Sequence, residues 1–517
     1  MSFRKNDHQQ LRLNDRLNNL TERERRILEK SWAVSFSECI FPMIDESKFE
    51  VLFCTENKEN NNGRPNTPVN VVLGSLFLQE MTHINDEELV ESVILDPRFQ
   101  VALRLTSFDE IPYSDRTPSR FRERLYKHEL LTGEDLLKEE VERLGEEFTK
   151  FLNIHNNVKR MDSLMVLSSC KRMGRLELMY TCVSNLVKAI IGTGEEELLT
   201  PELMLYTEEN RNSVCYRLDK EEVQQRLERT AADALQLLDI CGDNYLEFEE
   251  YQLLKRMLDD QTKDGKLKPN KEILPTSLQN PSDPDATFRR KNKENYQGYA
   301  ANVVETCGEN GNIITQYEFD INLHSDVEFG ATVIENHDKQ EENLILIGDG
   351  AFASSENFEA AKDKNITLVT TNLTGQKPPK ILIEFTIEND TITACPAGCT
   401  PTDAYYNEEK ETYYAQFDRE TCNNCPQKEQ CPIKITKKTA TVKIAKSTRE
   451  RAEYTEKLST EEYKQYGRCR NGVEGVPSVL RRFYGVDTMP VRGLVRAKMR
   501  FGFMIGAINA KRVVAIA

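Results

Sequence analysis

The hydrophobic and polar positions of the first 150 residues predict a helical region. Thr21 followed by Glu24 matches a capping box, which indicates a helix over residues 22–32. Further helices are predicted over residues 69–81, 86–94 and 117–127, and a polar loop with Gly and Pro over residues 60–66. This part of the chain is therefore expected to fold as packed helices.

The rest of the chain alternates between strand and helix patterns. Val158–Leu167 has the composition of a strand with an acid in its middle, residues 175–260 return to helical spacing, and the Pro-containing stretch 260–284 predicts a linker. Strands are then predicted over 299–305, 313–319, 344–347 and 366–371, and helices over 327–336 and 358–364. Residues 309–311 between the first two strands are a hairpin signal. Residues 381–387 predict the start of a β-rich, Cys-rich insertion, and about the last 60 residues predict basic helices. This order predicts an α/β fold with a mixed sheet.

Composition and charge restrict the possible classes of protein. At 517 residues, 38% of them hydrophobic, the chain can form about three packed domains. It has no run of 18 apolar residues and no apolar segment near its start, so we expect a cytoplasmic protein without a membrane span. The net charge is −16, yet residues 434–512 carry 19 Lys and Arg against 7 Asp and Glu. This asymmetry predicts one basic working surface on an acidic body.

Three carboxylates stand out by their context. Asp162 lies inside a predicted strand, Asp349 follows a short apolar strand, and Glu474 lies in the basic C-terminal part. A charge in or beside a buried strand is costly unless it is paired or binds metal, and carboxylates are the natural ligands of Mg²⁺. From the pattern alone each acid is ambiguous, and an Asp after a strand is more often a turn or cap residue.

The motifs around these acids resemble those of the DDE transposases of bacterial insertion sequences, whose catalytic core is RNase H-like. The resemblance covers most of the chain and rests on short motifs in order: Gly63-Arg64-Pro65, Ser119-Arg120-Phe121-Arg122, Arg160-Met161-Asp162-Ser163, Gly174-Arg175-Leu176-Glu177-Leu178, Tyr296-Gln297-Gly298-Tyr299, Asp349-Gly350-Ala351-Phe352, and Arg470, Glu474 and Arg481. In the last motif Arg481 replaces the Lys of the family, and Tyr466 lies one position too early.

The resemblance implies an RNase H-like mixed-sheet core with two insertions. We expect a helical DNA-binding domain at 1–150, the first core strand within 155–174, a helical insertion at 175–284, the rest of the core at 285–380, a Cys-rich insertion at 381–445 and basic helices at 446–517. The helical insertion is expected because 186 residues separate Asp162 from Asp349.

The implied function is that of a DNA transposase, which binds the ends of a mobile element, cleaves them and joins them to target DNA. Asp162, Asp349 and Glu474 would be catalytic and would bind Mg²⁺ or Mn²⁺. The implied partner is double-stranded DNA, on which the protein would form a homo-oligomer at the nucleoid. Two alternatives stay open: a catalytically inactive DNA-binding protein of transposase descent, and a metal-dependent nuclease of the same fold.

Two features of the sequence bear on the choice of the acids. Asp283 and Asp285 are rivals for the first acid, but neighbouring prolines place them in a predicted loop. Pro477 suits the first turn of a helix, so Glu474 is expected near a helix start.

Arginines are the expected DNA contacts, because a guanidinium group can bind phosphate with two hydrogen bonds. The candidates are Arg470, Arg481 and Arg482 in the C-terminal part and Arg120, Arg122 and Arg124 in the N-terminal part, with Arg492, Arg496, Lys498 and Arg500 extending the basic patch. If one helix ran through Glu474, Arg470 and Arg481 would flank it on one surface. For the N-terminal arginines, charge alone favours a solvated helix face.

Five of the 13 cysteines cluster, and their spacing is typical of a metal site. Cys395 and Cys399 form one pair, Cys422 and Cys425 form a CxxC pair, and Cys431 follows. Four of the five are predicted to bind one structural Zn²⁺, with reduced thiols in a loop as the alternative. Residues 239–250 approach a calcium-loop pattern but lack its glycine, so a helix-to-helix loop is predicted there.

Overall fold

The computed structural model describes residues 3, 5–6, 15–53, 66–107, 111, 113–154, 157–208, 211–291, 293–371 and 377–517. The Gly63-Arg64-Pro65 motif and most of the predicted loop around it lie outside the described residues. The chain forms two compact units. The first comprises Met1–Asn157, Asp162–Ser325 and Gly475–Ala517, and the second comprises Val158–Met161 and Asp326–Glu474.

Helices occur along the whole of the described chain. In order they are α1 Glu22–Glu29, α2 Trp32–Cys39, α3 Val69–Thr82, α4 Asp86–Leu95, α5 Pro97–Ala102, α6 Thr117–Thr132, α7 Leu136–Phe151, α8 Arg175–Thr193, α9 Pro201–Glu208, α10 Arg211–Cys215, α11 Lys220–Cys241, α12 Glu249–Gln261, α13 Asp326–Glu335, α14 Ser355–Asp363, α15 Arg419–Asn423, α16 Lys446–Lys457, α17 Glu461–Asn471, α18 Gly475–Arg482 and α19 Leu494–Ile516.

Strands are found in both units. They are β1 Val158–Leu167, β2 Thr262–Lys263, β3 Lys266–Leu267, β4 Thr287–Lys291, β5 Glu294–Gly308, β6 Gly311–Ile321, β7 Leu344–Gly348, β8 Ile366–Thr370, β9 Thr386–Glu388, β10 Thr391–Ala394, β11 Asp403–Asn407, β12 Thr412–Phe417, β13 Lys434–Ile435 and β14 Ala440–Ala445.

The first unit is built on the antiparallel strands β4, β5 and β6, with the end of β1 beside β5. Gly298 of β5 has a φ of +146°, and a Cβ there would collide with the carbonyl oxygen of Val166, so glycine permits the close approach to β1. The long helix α19 is buried over most of its length. Its Asn509 side chain accepts from the Ile314 N–H (2.9 Å) and donates to the Ile314 carbonyl (2.7 Å), which ties α19 to β6.

Helices α8 to α12 of the first unit enclose an apolar cluster of their own. All its buried members lie between Leu176 and Leu278, among them Met179, Leu237 and Leu254. This part of the chain therefore buries a core formed from its own residues.

The second unit contains parallel strands. Val158, Lys159 and Arg160 of β1 pair with β7, and β7 pairs with β8, both in parallel. A separate antiparallel sheet has the order β11-β12-β14-β13, and β9 pairs with β10. An apolar cluster that includes Phe385, Tyr413 and Phe417 covers this sheet.

Most of the predicted elements are confirmed, and the fold is α/β. The Thr21–Glu24 capping box is present, β1 has the predicted bounds, and a 3₁₀ turn joins α11 to α12 where a helix-to-helix loop was predicted. Three predictions are wrong in part. The helix predicted over 22–32 ends at Glu29, and the predicted linker 260–284 contains the hairpin of β2 and β3 and contributes Leu278 to an apolar cluster. The segment Lys380–Ile383, at the start of the predicted β-rich run, forms a 3₁₀ turn. Its Ile381 and Leu382 are buried, so their apolar character reflects packing and not strand pairing.

Among the described residues, no helix is long and apolar enough to cross a bilayer.

Candidate active site

The first candidate acid, Asp162, lies within β1, and the second, Asp349, directly follows β7, the strand that pairs with the start of β1. Arg160 of β1 is the last residue registered with β7, opposite Ile347. A Cβ on Gly348, the next residue of β7, would lie 3.0 Å from the Met161 side chain. Asp162 directly follows Met161 within β1, and Asp349 directly follows Gly348, the last residue of β7. Each acid is half-buried.

Asp349 also has a local structural role. It precedes the 3₁₀ turn Gly350–Phe352, and its Oδ1 accepts a hydrogen bond from the Ala351 N–H (2.9 Å). The carboxylate is therefore oriented by the turn that follows the strand. Asparagine could make the same cap without the charge.

Glu474 lies in a short turn between two helices. Helix α17 ends at Asn471, Gly472–Glu474 form a 3₁₀ turn, and α18 begins at Gly475. The expected helix start is confirmed, with Pro477 in the first turn of α18. A single helix through Glu474 is excluded. The Glu474 side chain is 60% exposed, and Arg470 Nη1 donates to its Oε1 at 2.9 Å.

Asp283, the main rival for the first acid, is only 1% exposed and already accepts three hydrogen bonds. Its donors are the hydroxyls of Ser168 and Tyr299, both at 2.5 Å, and the N–H of Gly493 at 2.9 Å. Asp285 accepts from the Leu494 N–H at 2.8 Å, at the start of α19. Both rivals therefore hold the start of this helix.

Arg481 is held against the end of β1. Its Nη2 donates to the Met165 carbonyl (3.0 Å) and its Nε to Asp487 Oδ2 (3.1 Å). Oδ1 of Asp487 accepts from the Leu167 N–H (3.0 Å). The neighbouring Arg482 is exposed.

The N-terminal arginines have different environments. Arg120 is exposed, whereas Arg122 donates to both oxygens of Asp86 and to Gln79. The hydrogen bonds from Arg122 are the main cause that lowers the pKa of Asp86 to about 2. Arg124 stacks over the Phe53 ring at 4.4 Å, and burial lowers its pKa.

The five clustered cysteines converge in the second unit. Cys395 N–H donates to the Cys399 carbonyl (2.9 Å), which closes a tight loop, and Cys422 lies on α15. A cavity of about 30 Å³ is lined by Cys395, Cys422, Cys425 and Cys431. Burial and then the charges of the other four thiols raise the pKa of Cys422 to about 11.

No group of three or more His, Cys, Asp and Glu side chains in the described part of the chain is arranged so that it could hold a metal ion. This statement covers both the candidate acids and the cysteine cluster. The described cysteines are free thiols.

Two functional candidates were missed in the sequence, although each carries a signal. Arg160 is a charged residue inside a strand and is only 7% exposed. Asp487, in a short 3₁₀ turn after α18, joins Arg481 to β1. Only the charge within an apolar run could have identified Arg160, and nothing in the local pattern identifies Asp487.

Comparison with protein families gives two matches. Residues 394–514 match a family described as "Transposase DDE domain", and residues 25–124 match one described as "Transposase domain (DUF772)". The first range contains Glu474 and the cysteine cluster, whereas Asp162 and Asp349 lie outside both ranges. No curated protein and no solved structure gives a significant match. The two family matches indicate a DDE transposase of the insertion-sequence type.

Proposed function

We propose that the protein cleaves the ends of a mobile DNA element and joins them to target DNA, with Asp162, Asp349 and Glu474 as the catalytic acids. The observation that carries this proposal is the parallel register of β1 and β7, because Asp162 and Asp349 each lie two residues beyond its last pair, Arg160 and Ile347. The involvement of Asp283 in three hydrogen bonds favours Asp162 as the first acid.

We also propose that the core is RNase H-like. Two features support this: the antiparallel hairpin of β5 and β6 with β1 beside β5 in the first unit, and the parallel strands β1, β7 and β8 in the second. The predicted helical insertion would correspond to α8–α12, which contain their own apolar cluster.

The chemistry of the donor set suits Mg²⁺ or Mn²⁺, because all three candidates offer carboxylate oxygens. The acids are not grouped as metal ligands in the described structure, and an ion at Glu474 would compete with Arg470 for its carboxylate. Asp162, Asp349 and Glu474 would hold the ions, whose chemistry would be to activate the attacking oxygen and to stabilise the leaving oxygen. The residues of the chain have separate tasks. The turn after β7 orients Asp349, and Arg470 holds the Glu474 carboxylate in place.

Exposed arginines would bind DNA phosphates. Arg120 and Arg482 are the best candidates because their side chains face solvent. Arg470, Arg481, Arg122 and Arg124 have partners within the protein, so a phosphate would have to compete with those partners. Transposases of this kind act on double-stranded DNA, and we propose that this one does so as a homo-oligomer.

We propose that Cys395, Cys422, Cys425 and Cys431, whose thiols are not in a metal-binding arrangement in the described structure, move together to bind one structural Zn²⁺, and that Cys399 is the spare thiol. These four line one small cavity beside the apolar cluster of the second unit, and Cys399 does not line it. A four-thiolate zinc site is closed, so its role would be to stabilise the fold.

The catalytic proposal is tested by excision from a plasmid that carries the gene with its own flanking DNA. Asp349→Asn retains the cap but removes the charge, so excision should fall below detection while binding to the flanking DNA persists. Glu359→Ala, an exposed acid on α14 of the same unit, is the control and should remain active. Full excision by Asp349→Asn would exclude the assignment. Wild-type protein that binds without cutting, or cuts without joining, would support one of the two alternatives.

A further inference from the structure

Arg160 is a buried cation whose partner is a helix end. It lies in β1, registered opposite Ile347 of β7, and is only 7% exposed. Its Nη1 donates to the Cys469 carbonyl at 2.7 Å. Cys469 is in the last turn of α17, where carbonyls carry partial negative charge, and its carbonyl also accepts from the Gly472 N–H. The guanidinium group of Arg160 therefore anchors the C-terminal end of α17 to the parallel strands.

Gly472 lies against the same guanidinium group. Its φ of −66° and ψ of −25° are helical values that every residue adopts, and glycine is a poor choice there. A Cβ on Gly472 would lie 2.8 Å from Arg160 Cζ and 3.0 Å from Nη2, and would overlap Nη1. Glycine at this position is therefore explained by Arg160 and not by the backbone.

We propose that Arg160 is a positioning residue that fixes Glu474 with respect to Asp349, an inference that rests on the proposed function. Asp349 follows Ile347, the strand partner of Arg160, by two residues. Glu474 follows Gly472, which contacts the Arg160 guanidinium group, by two residues. One side chain thus connects the strand that leads to the second acid with the turn that carries the third. Loss of this connection alters the spacing of two proposed metal ligands without removing either.

The test compares two glycine-to-alanine changes in the same helix region. Gly472→Ala displaces Arg160, whereas Gly467→Ala, on α17, places its Cβ where no atom lies within 4 Å. We expect Gly472→Ala to lower excision in Mg²⁺ at least tenfold and to weaken Mn²⁺ binding several-fold, measured on the full-length protein by electron paramagnetic resonance of free Mn²⁺. Gly467→Ala should leave both unchanged. Equal behaviour of the two variants would overturn the inference.

A double-mutant cycle separates positioning from general damage. If Gly472→Ala acts by displacing Arg160, it should add little to Arg160→Gln, and Arg160→Lys should recover part of the Mn²⁺ affinity. Additive losses would contradict this mechanism. Should Arg160→Gln fail to fold, the comparison of Gly472→Ala with Gly467→Ala decides alone. An active Asp349→Asn variant refutes the proposed function. An inactive one combined with a normal Gly472→Ala variant refutes only the role of Arg160.

Discussion

Asp283 gives the sharpest distinction between a structural and a catalytic acid. Asp283→Ala removes the acceptor for three donors: the hydroxyls of Ser168 and Tyr299 and the N–H of Gly493. Burial and the charge of Asp283 raise the pKa of Tyr299, so its hydroxyl stays protonated and donates. The variant should therefore lose stability and should lose activity only as a consequence.

The size of the loss follows from which donors water can reach. Tyr299 is 2% exposed, so its hydroxyl would lose its partner inside the protein, at a cost of about 1–3 kcal/mol. Ser168 and Gly493 are half-buried and can exchange Asp283 for water at a smaller cost. We expect the free energy of unfolding to fall by about 3–5 kcal/mol in total, the range for breaking a buried charged network.

The chain contains one tryptophan, Trp32, and it reports on the unit that contains Asp283. Trp32 packs edge-on against Phe99 at 5.4 Å, so its fluorescence should change when the first unit unfolds in urea. Asp285→Ala is the control: it removes only the acceptor of the Leu494 N–H and should cost about 1 kcal/mol. If Asp283→Ala abolished excision and left the urea curve unchanged, Asp283 would replace Asp162 as the first acid.

Two further predictions concern protonation and metal. Burial raises the pKa of the Glu142 carboxyl group to about 7, which means that the folded protein favours the protonated form. The contribution of this group to the stability of the fold is therefore full below pH 4.5 and is lost as the pH rises through about 7. The free energy of unfolding of Glu142→Gln in urea should therefore equal that of wild type at pH 4 and exceed it at pH 8 by on the order of 3 kcal/mol. The prediction would be contradicted if the difference between the two proteins were the same at both pH values. Metal analysis should find about one zinc per chain. The zinc should be absent from a Cys422→Ser, Cys425→Ser double variant and retained in Cys399→Ser, and a zinc-free, folded wild type would refute the site.

Local patterns predicted most elements, because each carries its own signal. The capping box at Thr21, the strand β1 and the hairpin of β5 and β6 all depend on neighbouring residues in the chain. The turn after β7 was also accessible, since an acid followed by glycine after an apolar strand is a typical cap. These predictions required no knowledge of distant contacts.

Distant contacts account for what could not be predicted. The helix start after Glu474 was predicted from Pro477, but the contact of Gly472 with Arg160, more than 300 residues earlier in the chain, was not. Asp283 resembled a loop residue in the sequence, yet its backbone position brings it to Tyr299 and to the start of α19. In both cases the deciding partner lies far away in sequence, so periodicity and propensity carry no information about it.

The positive surplus of residues 434–512 illustrates the same limit for electrostatics. Several of these cations neutralise acids of the first unit: Arg496 pairs with Glu123, Lys498 with Glu129 and Asp135, Arg500 with Glu80, and Arg512 with Glu305. A cation that is already paired releases fewer counterions from DNA, because its charge is compensated before binding. The charge counted in the sequence is therefore an upper bound on the charge available to phosphate. Exposed residues such as Arg482 and Arg120 would contribute most to the DNA contact, and the paired cations of α19 contribute to the stability of the unit that presents them.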